Sequence, residues 1–134
     1  MTPFPLKVVT PDGIKFNGQV EELVVRTTSG DLGILAGHLN MVAPLGMGRA
    51  TVIIDGQKRY AACIGGMVAV VSGRVDLVPT SFEWAEDIDT ERAERAYQRA
   101  QQALNDKGAS EADIRLAKAK LHRALVRKNV ASIK

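Results

Sequence analysis

The distribution of glycine and proline divides this chain into two parts. Both residues recur through residues 1–79, which are also rich in Val and Ile, whereas residues 85–134 contain no proline and one glycine, Gly108. Glycine and proline are common in turns between strands and are excluded from helix interiors. The pattern therefore predicts an α+β chain: a β-sandwich or flattened barrel over residues 1–84, followed by an antiparallel helical hairpin over residues 85–134.

Short apolar segments separated by turn residues predict the strands. They cover residues 6–9, 20–27, 51–54, 59–62, 68–71 and 75–78. Asp55-Gly56 and Ser72-Gly73 predict tight hairpins, because both positions of each pair tolerate positive φ. Residues 28–33 are predicted to form a loop. No helix-length segment interrupts the strands, which argues against parallel βαβ units.

Capping signals define the two helices. Asp87 or Asp89 is expected to cap the first helix, and Ser110 to open a capping box with Asp113 at the second. Asn105-Asp106-Lys107-Gly108 is expected to stop the first helix, with Gly108 free to adopt the left-handed conformation. The apolar stripes are dominated by alanine: Ala93, Ala96, Ala100, Ala103 and Leu104 on the first helix, and Ile114, Ala117, Leu121, Ala124 and Leu125 on the second. Because alanine buries little area, we expect a marginally stable hairpin that can open; a static hairpin is the alternative.

The cysteine count and the hydropathy of the sequence indicate the compartment in which the chain is expected. Its single cysteine, Cys63, excludes an internal disulfide framework and fits a reducing compartment. No apolar run approaches the ~20 residues that span a bilayer. The start lacks the pattern of a signal peptide. These features predict a soluble, cytoplasmic protein.

Motifs for catalysis are missing from the sequence. Gly30-Asp31-Leu32-Gly33 lacks the Gly-Lys-Ser/Thr of a phosphate loop, and no G-x-S-x-G, H-E-x-x-H or paired Cys-x-x-Cys occurs. His38 is interpreted as a structural loop residue, and Cys63 as a buried, inert thiol. We predict no catalytic residue and no metal site.

Positive charge concentrates near the C-terminus. Residues 107–134 carry eight basic and two acidic residues, a net charge of +6, so the remainder carries −3. The basic residues are Lys107, Arg115, Lys118, Lys120, Arg123, Arg127, Lys128 and Lys134. Such a helix favours an acidic partner, which would be a nucleic acid, a membrane surface, a nucleotide or an acidic protein patch. A solvated face without a partner is the alternative.

The arginines predict a more specific site. Arg92, Arg95 and Arg99 stand at i, i+3 and i+7, so they share a helix face, and Arg123 and Arg127 are four residues apart. Folding the hairpin brings these guanidinium groups together, which is unfavourable unless an anion lies between them. A polyphosphate suits the planar arginine fork. Alternatively, Glu91, Glu94 and Asp113 neutralise the arginines as surface ion pairs.

Several motifs resemble one known family along essentially the whole chain. These are Thr10-Pro11-Asp12-Gly13, the run Ser29-Gly30-Asp31-Leu32-Gly33-Ile34-Leu35-Ala36-Gly37-His38, Gly65-Gly66, and Glu86-Asp87-Ile88-Asp89. In these residues the chain resembles the epsilon subunits of bacterial F-type ATP synthases. Asn40 is a departure, because many relatives carry proline there.

The resemblance implies a ten-stranded flattened antiparallel β-sandwich followed by a two-helix C-terminal domain. It also implies a non-catalytic regulatory subunit of the rotor stalk of a proton-translocating enzyme. The implied partners are the gamma subunit, the c-ring and, when the helices extend and inhibit ATP hydrolysis, the alpha and beta subunits of the catalytic head. The implied location is peripheral, on the cytoplasmic face of the cell membrane, without insertion into it.

Some members of this family bind ATP through an Ile/Leu-Asp-x-x-Arg-Ala motif, which residues 88–93 match in full. Carried onto this sequence, the ATP-binding set is Glu83, Ile88, Asp89, Arg92, Ala93, Arg99, Arg123 and Arg127. ATP would be a regulatory ligand, with or without Mg²⁺, and not a substrate. The alternative function is a nucleic-acid-binding module with a basic helix, although the scattered aromatic residues provide no stacking platform.

Overall fold

The computed structural model describes residues 1–133, which form ten strands, one 3₁₀ turn and two helices. The strands are β1 (Phe4–Thr10), β2 (Gly13–Val20), β3 (Glu22–Thr27), β4 (Gly30–Ile34), β5 (Met41–Pro44), β6 (Met47–Ile54), β7 (Gln57–Ile64), β8 (Met67–Val71), β9 (Arg74–Val78) and β10 (Ser81–Trp84). The 3₁₀ turn is Ala85–Asp87, and the helices are α1 (Thr90–Leu104) and α2 (Glu111–Ala131). One compact unit spans Met1–Trp84 and a second begins at Ala85. Lys134, counted above among the basic residues, lies outside the described residues.

Two five-stranded sheets form the N-terminal unit, in the orders β2-β1-β9-β8-β5 and β10-β7-β6-β3-β4. The predicted hairpins are confirmed, because β6 pairs with β7 and β8 with β9 in antiparallel register. Asp55 and Ser72 both have a φ of 51°, followed by glycines with positive φ, as a tight turn of this kind requires. The β1 and β9 strands pair in parallel, without a helical crossover between them.

The core of this unit is mainly aliphatic. Alternate residues of β1 and β9 point inward, as expected for pleated strands that cover a core with one face. The large side chains that are almost fully inaccessible to solvent include Leu6, Val8, Leu23, Val25, Ile34, Val68 and Leu77. Phe82 and Trp84 add an edge-to-face pair with ring centroids 4.9 Å apart.

One predicted loop is a strand, and one predicted strand is shorter than expected. Residues 30–34 form β4, where a loop was predicted, and Leu23 of β3 lies opposite Ile34. The turn is confined to residues 28–29, because Thr27 Oγ1 donates to Gly30 O at 2.7 Å and accepts from Ser29 N at 3.1 Å. The predicted strand 20–27 is interrupted at Glu21, and the residues before it belong to β2, which was not predicted.

The helix starts follow the capping chemistry. Asp89, and not Asp87, is the N-cap of α1, and its Oδ1 accepts from Arg92 N at 3.0 Å. Asp87 lies instead in the 3₁₀ turn. The capping box at α2 is confirmed: Asp113 N donates to Ser110 Oγ at 3.1 Å, and Ser110 N donates to Asp113 Oδ2 at 3.2 Å.

The helix α1 ends where it was predicted to end, but the left-handed conformation predicted for Gly108 was wrong. The helix stops at Leu104, Asn105 is its C-cap with a φ of −90°, and Gly108 does not have a positive φ. Asp106 supplies the reason, because its Oδ1 accepts from Gly108 N at 3.0 Å. This local hydrogen bond shapes the connection without a left-handed glycine.

The apolar stripes of the helices are partly as predicted. Ala93 and Ala100 on α1, and Ala117 and Ala124 on α2, are buried. Leu125 is 40% exposed, and the burial continues instead through Val126, Val130 and Ala131. Consecutive helical residues are turned by about 100°, so Leu125 lies between two buried faces of α2, one with Ala124 and Ala131 and the other with Val126 and Val130. Ala103 is also exposed.

Candidate anion-binding site

A cleft of about 510 Å³ lies in the helical hairpin. Both helices and their connection contribute to it, and its lining residues are Ala96, Arg99, Ala100, Ala103, Asp106, Ala109, Asp113, Leu116, Ala117, Lys120, Arg123, Ala124 and Arg127. We refer to this space as the hairpin cleft.

Alanine gives the hairpin cleft its room. Ala96, Ala100 and Ala103 recur at three- and four-residue spacing on α1, and Ala117 and Ala124 are seven residues apart on α2. Residues at these spacings share a helix face. Since a methyl group fills little volume, longer side chains on the same faces can direct their charged ends into the space that remains.

Positive charge predominates in the hairpin cleft. Four cationic side chains line it, namely Arg99, Lys120, Arg123 and Arg127, against two carboxylates, Asp106 and Asp113. Both carboxylates accept backbone N–H groups of the helix connection, from Gly108 and Ser110 respectively. The site therefore has an excess of two positive charges and is suited to a multivalent anion.

Surface pairing neutralises only part of this charge. Glu91 lies 3.9 Å from Arg95 within α1, and Glu94 lies 2.6 Å from Lys128. Asp113 is engaged in the capping box. Within residues 1–133, Arg99 and Arg123 have no ion-pair partner. The alternative raised from the sequence thus holds for Arg95 and fails for these two arginines.

The structure brings together three of the eight predicted site residues. Arg99 from α1 and Arg123 and Arg127 from α2 line the hairpin cleft, although up to 28 residues separate them along the chain. The conformation of the hairpin thus places predicted residues of both helices around one space.

The other five predicted residues lie outside the cleft lining. Asp89 caps α1, Arg92 is exposed in its first turn, and Ile88 and Ala93 are buried. Arg92 is four residues before Ala96 and therefore lies on the same helix face, one turn further from the helix connection. Glu83 belongs to β10, where it is paired with Ala62.

Lys120 is a site residue that the sequence analysis did not single out. It was counted with the other basic residues of the C-terminal segment, but its spacing was not used. It precedes Arg123 by three residues and Arg127 by seven, so helical periodicity alone assigns it to their face.

Cys63 and His38, which were considered for catalysis, both lie in surroundings that fit a structural role. Cys63 is buried, as predicted, and burial raises the pKa of its thiol from 9.0 to about 12. His38 Nδ1 lies 2.9 Å from the carbonyl oxygen of Leu39. In the part of the chain that the structure describes, no group of three or more His, Cys, Asp or Glu residues is placed to hold a metal ion.

Comparison with known proteins identifies the family. The profile of the ATP synthase delta/epsilon chain β-sandwich domain matches residues 3–85, and that of the delta/epsilon chain long α-helix domain matches residues 86–132. The ATP synthase epsilon chain of Bacillus cytotoxicus is 40% identical over 134 residues, with 100% of both chains covered. The chain belongs to the ATP synthase epsilon chain family. The epsilon chain of Bacillus subtilis is 45% identical over 115 residues, 86% of each chain.

Membership in the ATP synthase epsilon chain family confirms the resemblance drawn from the sequence. As a member, the chain is a non-catalytic stalk subunit of an F-type ATP synthase.

Solved structures agree with the fold. A chain of the Euglena gracilis mitochondrial ATP synthase superposes with a TM-score of 0.83 at 24% identity, over 100% of this chain and 83% of that one. A chain of the Tetrahymena thermophila mitochondrial ATP synthase gives a TM-score of 0.67 at 11% identity, over 95% of both. At these identities the likeness concerns the fold alone.

Neither helix over residues 1–133 combines the length and the apolar character that crossing a bilayer requires.

Proposed function

We propose that this epsilon chain binds ATP as a regulatory ligand in the hairpin cleft and inhibits ATP hydrolysis when the two helices separate. The observation that carries the proposal is the convergence of Arg99, Arg123 and Arg127 on one cleft with excess positive charge. Relatives with 40–45% identity are ATP synthase epsilon chains, so a nucleotide is the anion that suits the setting best.

The arginines would hold the phosphate groups. Each guanidinium offers a planar fork of donors that matches two phosphate oxygens, and such charge-assisted bonds are about twice as strong as neutral ones. Arg123 and Arg127 are half-buried, whereas Arg99 is exposed. Attraction between opposite charges is stronger at a partly buried position than in open solvent, because the effective dielectric constant is lower there. Arg123 and Arg127 would therefore bind the phosphates more strongly than Arg99.

The motif at the start of α1 would complete the site. Asp89 uses Oδ1 to cap the helix through Arg92 N, which leaves Oδ2 to accept from an amino or hydroxyl group of the nucleoside. Arg92 extends the arginine face by one turn beyond Ala96. Glu83, Ile88 and Ala93 are included because they match the family pattern. Titrations with and without Mg²⁺ would decide whether the phosphates bind with a metal ion.

Regulation follows from charge. In the closed hairpin the cationic side chains of both helices face one space, and their mutual repulsion opposes closure. A bound polyanion would relieve that repulsion only while the helices are together, so it favours the closed form by its differential affinity. At low ATP the helices would separate, and the basic α2 would contact an acidic surface on the alpha and beta subunits and stop hydrolysis.

The N-terminal sandwich would provide the other contacts of the subunit. We assign it to the gamma subunit and the c-ring, which places the protein peripherally at the cytoplasmic face of the cell membrane. These assignments are supported by membership in the family.

Calorimetric titration of the full-length protein with ATP tests the site. Arg99→Gln should weaken ATP binding by about 10-fold or more, the magnitude of one or two charge-assisted hydrogen bonds. Arg95→Gln is the matched control, because Arg95 lies on the same helix, pairs with Glu91 and does not line the cleft. Equal affinities for the two variants, or no ATP binding to the wild-type protein, would reject the proposal.

The regulatory claim needs the assembled enzyme. With wild-type subunit, ATP hydrolysis should become inhibited as the ATP concentration falls, and with Arg99→Gln this inhibition should begin at a higher ATP concentration. A subunit truncated after Asp87 should release the inhibition. Hydrolysis that is identical in all three assemblies would refute the regulatory role while leaving the binding site intact.

A further inference from the structure

We propose that Lys120 is a specificity-determining residue of the hairpin cleft, where its ammonium group binds the terminal phosphate and makes the site prefer ATP to ADP. This inference rests on the proposed function and adds a residue outside the predicted ATP-binding set. It concerns discrimination between two nucleotides, whereas the arginines account for affinity toward both.

Helical spacing places Lys120 in a row with the α2 arginines. Residues 120, 123 and 127 stand at i, i+3 and i+7, and all three line the hairpin cleft. At ~1.5 Å of rise per residue the row is ~10 Å long. A row of this length spans more than one phosphate group, and Lys120 forms the end nearest the helix connection.

The solvent exposure of the three side chains increases along the row, as the charge of the phosphates increases toward the end of ATP. Arg127 and Arg123 are half-buried, whereas Lys120 is exposed. The terminal phosphate carries more charge than the inner ones and is better accommodated at a hydrated end. A lysine ammonium is a compact, strongly hydrated charge with rotatable donors, while the rigid arginine fork suits phosphates held in place.

Lys120 is also available for this role. In the described part of the chain it has no ion-pair partner, and the carboxylates of the cleft accept backbone N–H groups of the helix connection. Lys128 differs, because its Nζ lies 2.6 Å from Glu94 and 4.1 Å from the centroid of the Tyr97 ring. Lys118 is exposed and does not line the cleft.

The test is a calorimetric comparison of ATP and ADP binding to full-length variants. Lys120→Gln should weaken ATP binding by about 10-fold or more, as expected for one charge-assisted hydrogen bond, and change ADP binding by less than about two-fold. Lys118→Gln removes the same charge from the same helix and should leave both affinities unchanged. Lys120→Arg should largely restore the preference, because it returns the positive charge.

The outcomes separate this inference from the proposed function. If wild-type protein binds ATP but Lys120→Gln and Lys118→Gln have the same ATP-to-ADP affinity ratio, the role of Lys120 is overturned and the ATP site stands. If wild-type protein binds ATP and ADP equally, the role of Lys120 is likewise overturned. If wild-type protein does not bind ATP, both are rejected. Far-UV circular dichroism of each variant verifies that the helices are formed.

Discussion

Lys128 of α2 and Glu94 of α1 form an ion pair between the helices of the hairpin, with Nζ 2.6 Å from Oε2. The same ammonium lies over the ring of Tyr97, and Glu94 Oε1 accepts from Gln98 Nε2 at 2.9 Å. Hydrogen bonds from Lys128 and then Gln98 lower the pKa of the Glu94 carboxyl below its ordinary value of 4.5. The closed hairpin is therefore stabilised by a polar contact between its helices that lies outside the lining of the hairpin cleft.

Replacing Glu94 should loosen the hairpin. Glu94→Gln keeps the shape of the side chain but removes the charge that Lys128 requires, so the amides of α2 should exchange hydrogen faster. Glu91→Gln is the matched control, because Glu91 pairs with Arg95 at 3.9 Å within α1 alone. Native-state hydrogen exchange makes the comparison. Equal exchange in α2 for the two variants would contradict the role of the pair.

The pH dependence of this contact has a defined sign. Because folding lowers the pKa of Glu94, its contribution to stability is fully present above the ordinary value of 4.5 and is lost as the pH falls through the lower folded value. The difference between wild type and Glu94→Gln should therefore be constant near neutral pH and disappear in acid. Denaturation of the helices at a series of pH values measures it, and a difference that persisted in strong acid would contradict the assignment.

The capping box should contribute measurably to α2. Ser110→Ala removes the hydroxyl that accepts from Asp113 N at 3.1 Å, and loss of such a cap costs about 0.5–2 kcal/mol. Ser110→Asp keeps an acceptor at the N-cap and should cost much less. Urea unfolding followed by circular dichroism of the helices measures both. Equal losses for the two variants would show that capping is not the cause.

Local chemistry explains which parts of the fold the sequence predicted. The Asp55-Gly56 and Ser72-Gly73 hairpins and the capping box depend on residues that are adjacent in the chain, and each was found as expected. The β4 strand was missed because its extended conformation depends on pairing with β3. Gly30 and Gly33 are weak strand formers, so the residues of β4 alone do not indicate a strand. The left-handed conformation predicted for Gly108 was wrong because a hydrogen bond from the Gly108 N–H to the Asp106 side chain shapes the connection instead.

The candidate site divides in the same way. Helical spacing predicted that Arg99, Arg123 and Arg127 would converge, since period and hairpin topology suffice to bring these faces together. The hairpin cleft itself depends on where alanines of two helices meet, which spacing within one helix does not specify. The spacing of Lys120 assigns it to the helix face of Arg123 and Arg127, and the lining of the cleft then shows which site that face contributes to.

Two glycines with similar backbone angles should respond differently to alanine. Gly66 (φ +89°) and Gly73 (φ +81°) both occupy the left-handed region, where an L side chain costs about 1–2 kcal/mol. A Cβ at Gly73 would meet nothing within 4 Å, whereas one at Gly66 would collide with the carbonyl oxygen of Val78 and the backbone of Pro79. Gly66→Ala should therefore lower the free energy of unfolding by about 1–3 kcal/mol more than Gly73→Ala. Urea denaturation of the sandwich tests this, and similar losses would mean that strain in φ alone decides the cost.

The Cys63 thiol should be unreactive in the folded protein. Its side chain lies in the sandwich core at 3% exposure, and burial raises its pKa from 9.0 to about 12, so the nucleophilic thiolate is disfavoured as well as inaccessible. Native protein should resist alkylation near pH 8, while protein in denaturant should react at the rate of an ordinary cysteine. Raising the pH toward 9 should accelerate labelling of the unfolded chain without a matching increase for the native one, because the folded thiol must first be exposed by opening of the sandwich. Alkylation that is quenched at a series of times and quantified by mass spectrometry measures both rates. Fast labelling of native protein that follows an ordinary thiol pKa would contradict the buried position of Cys63.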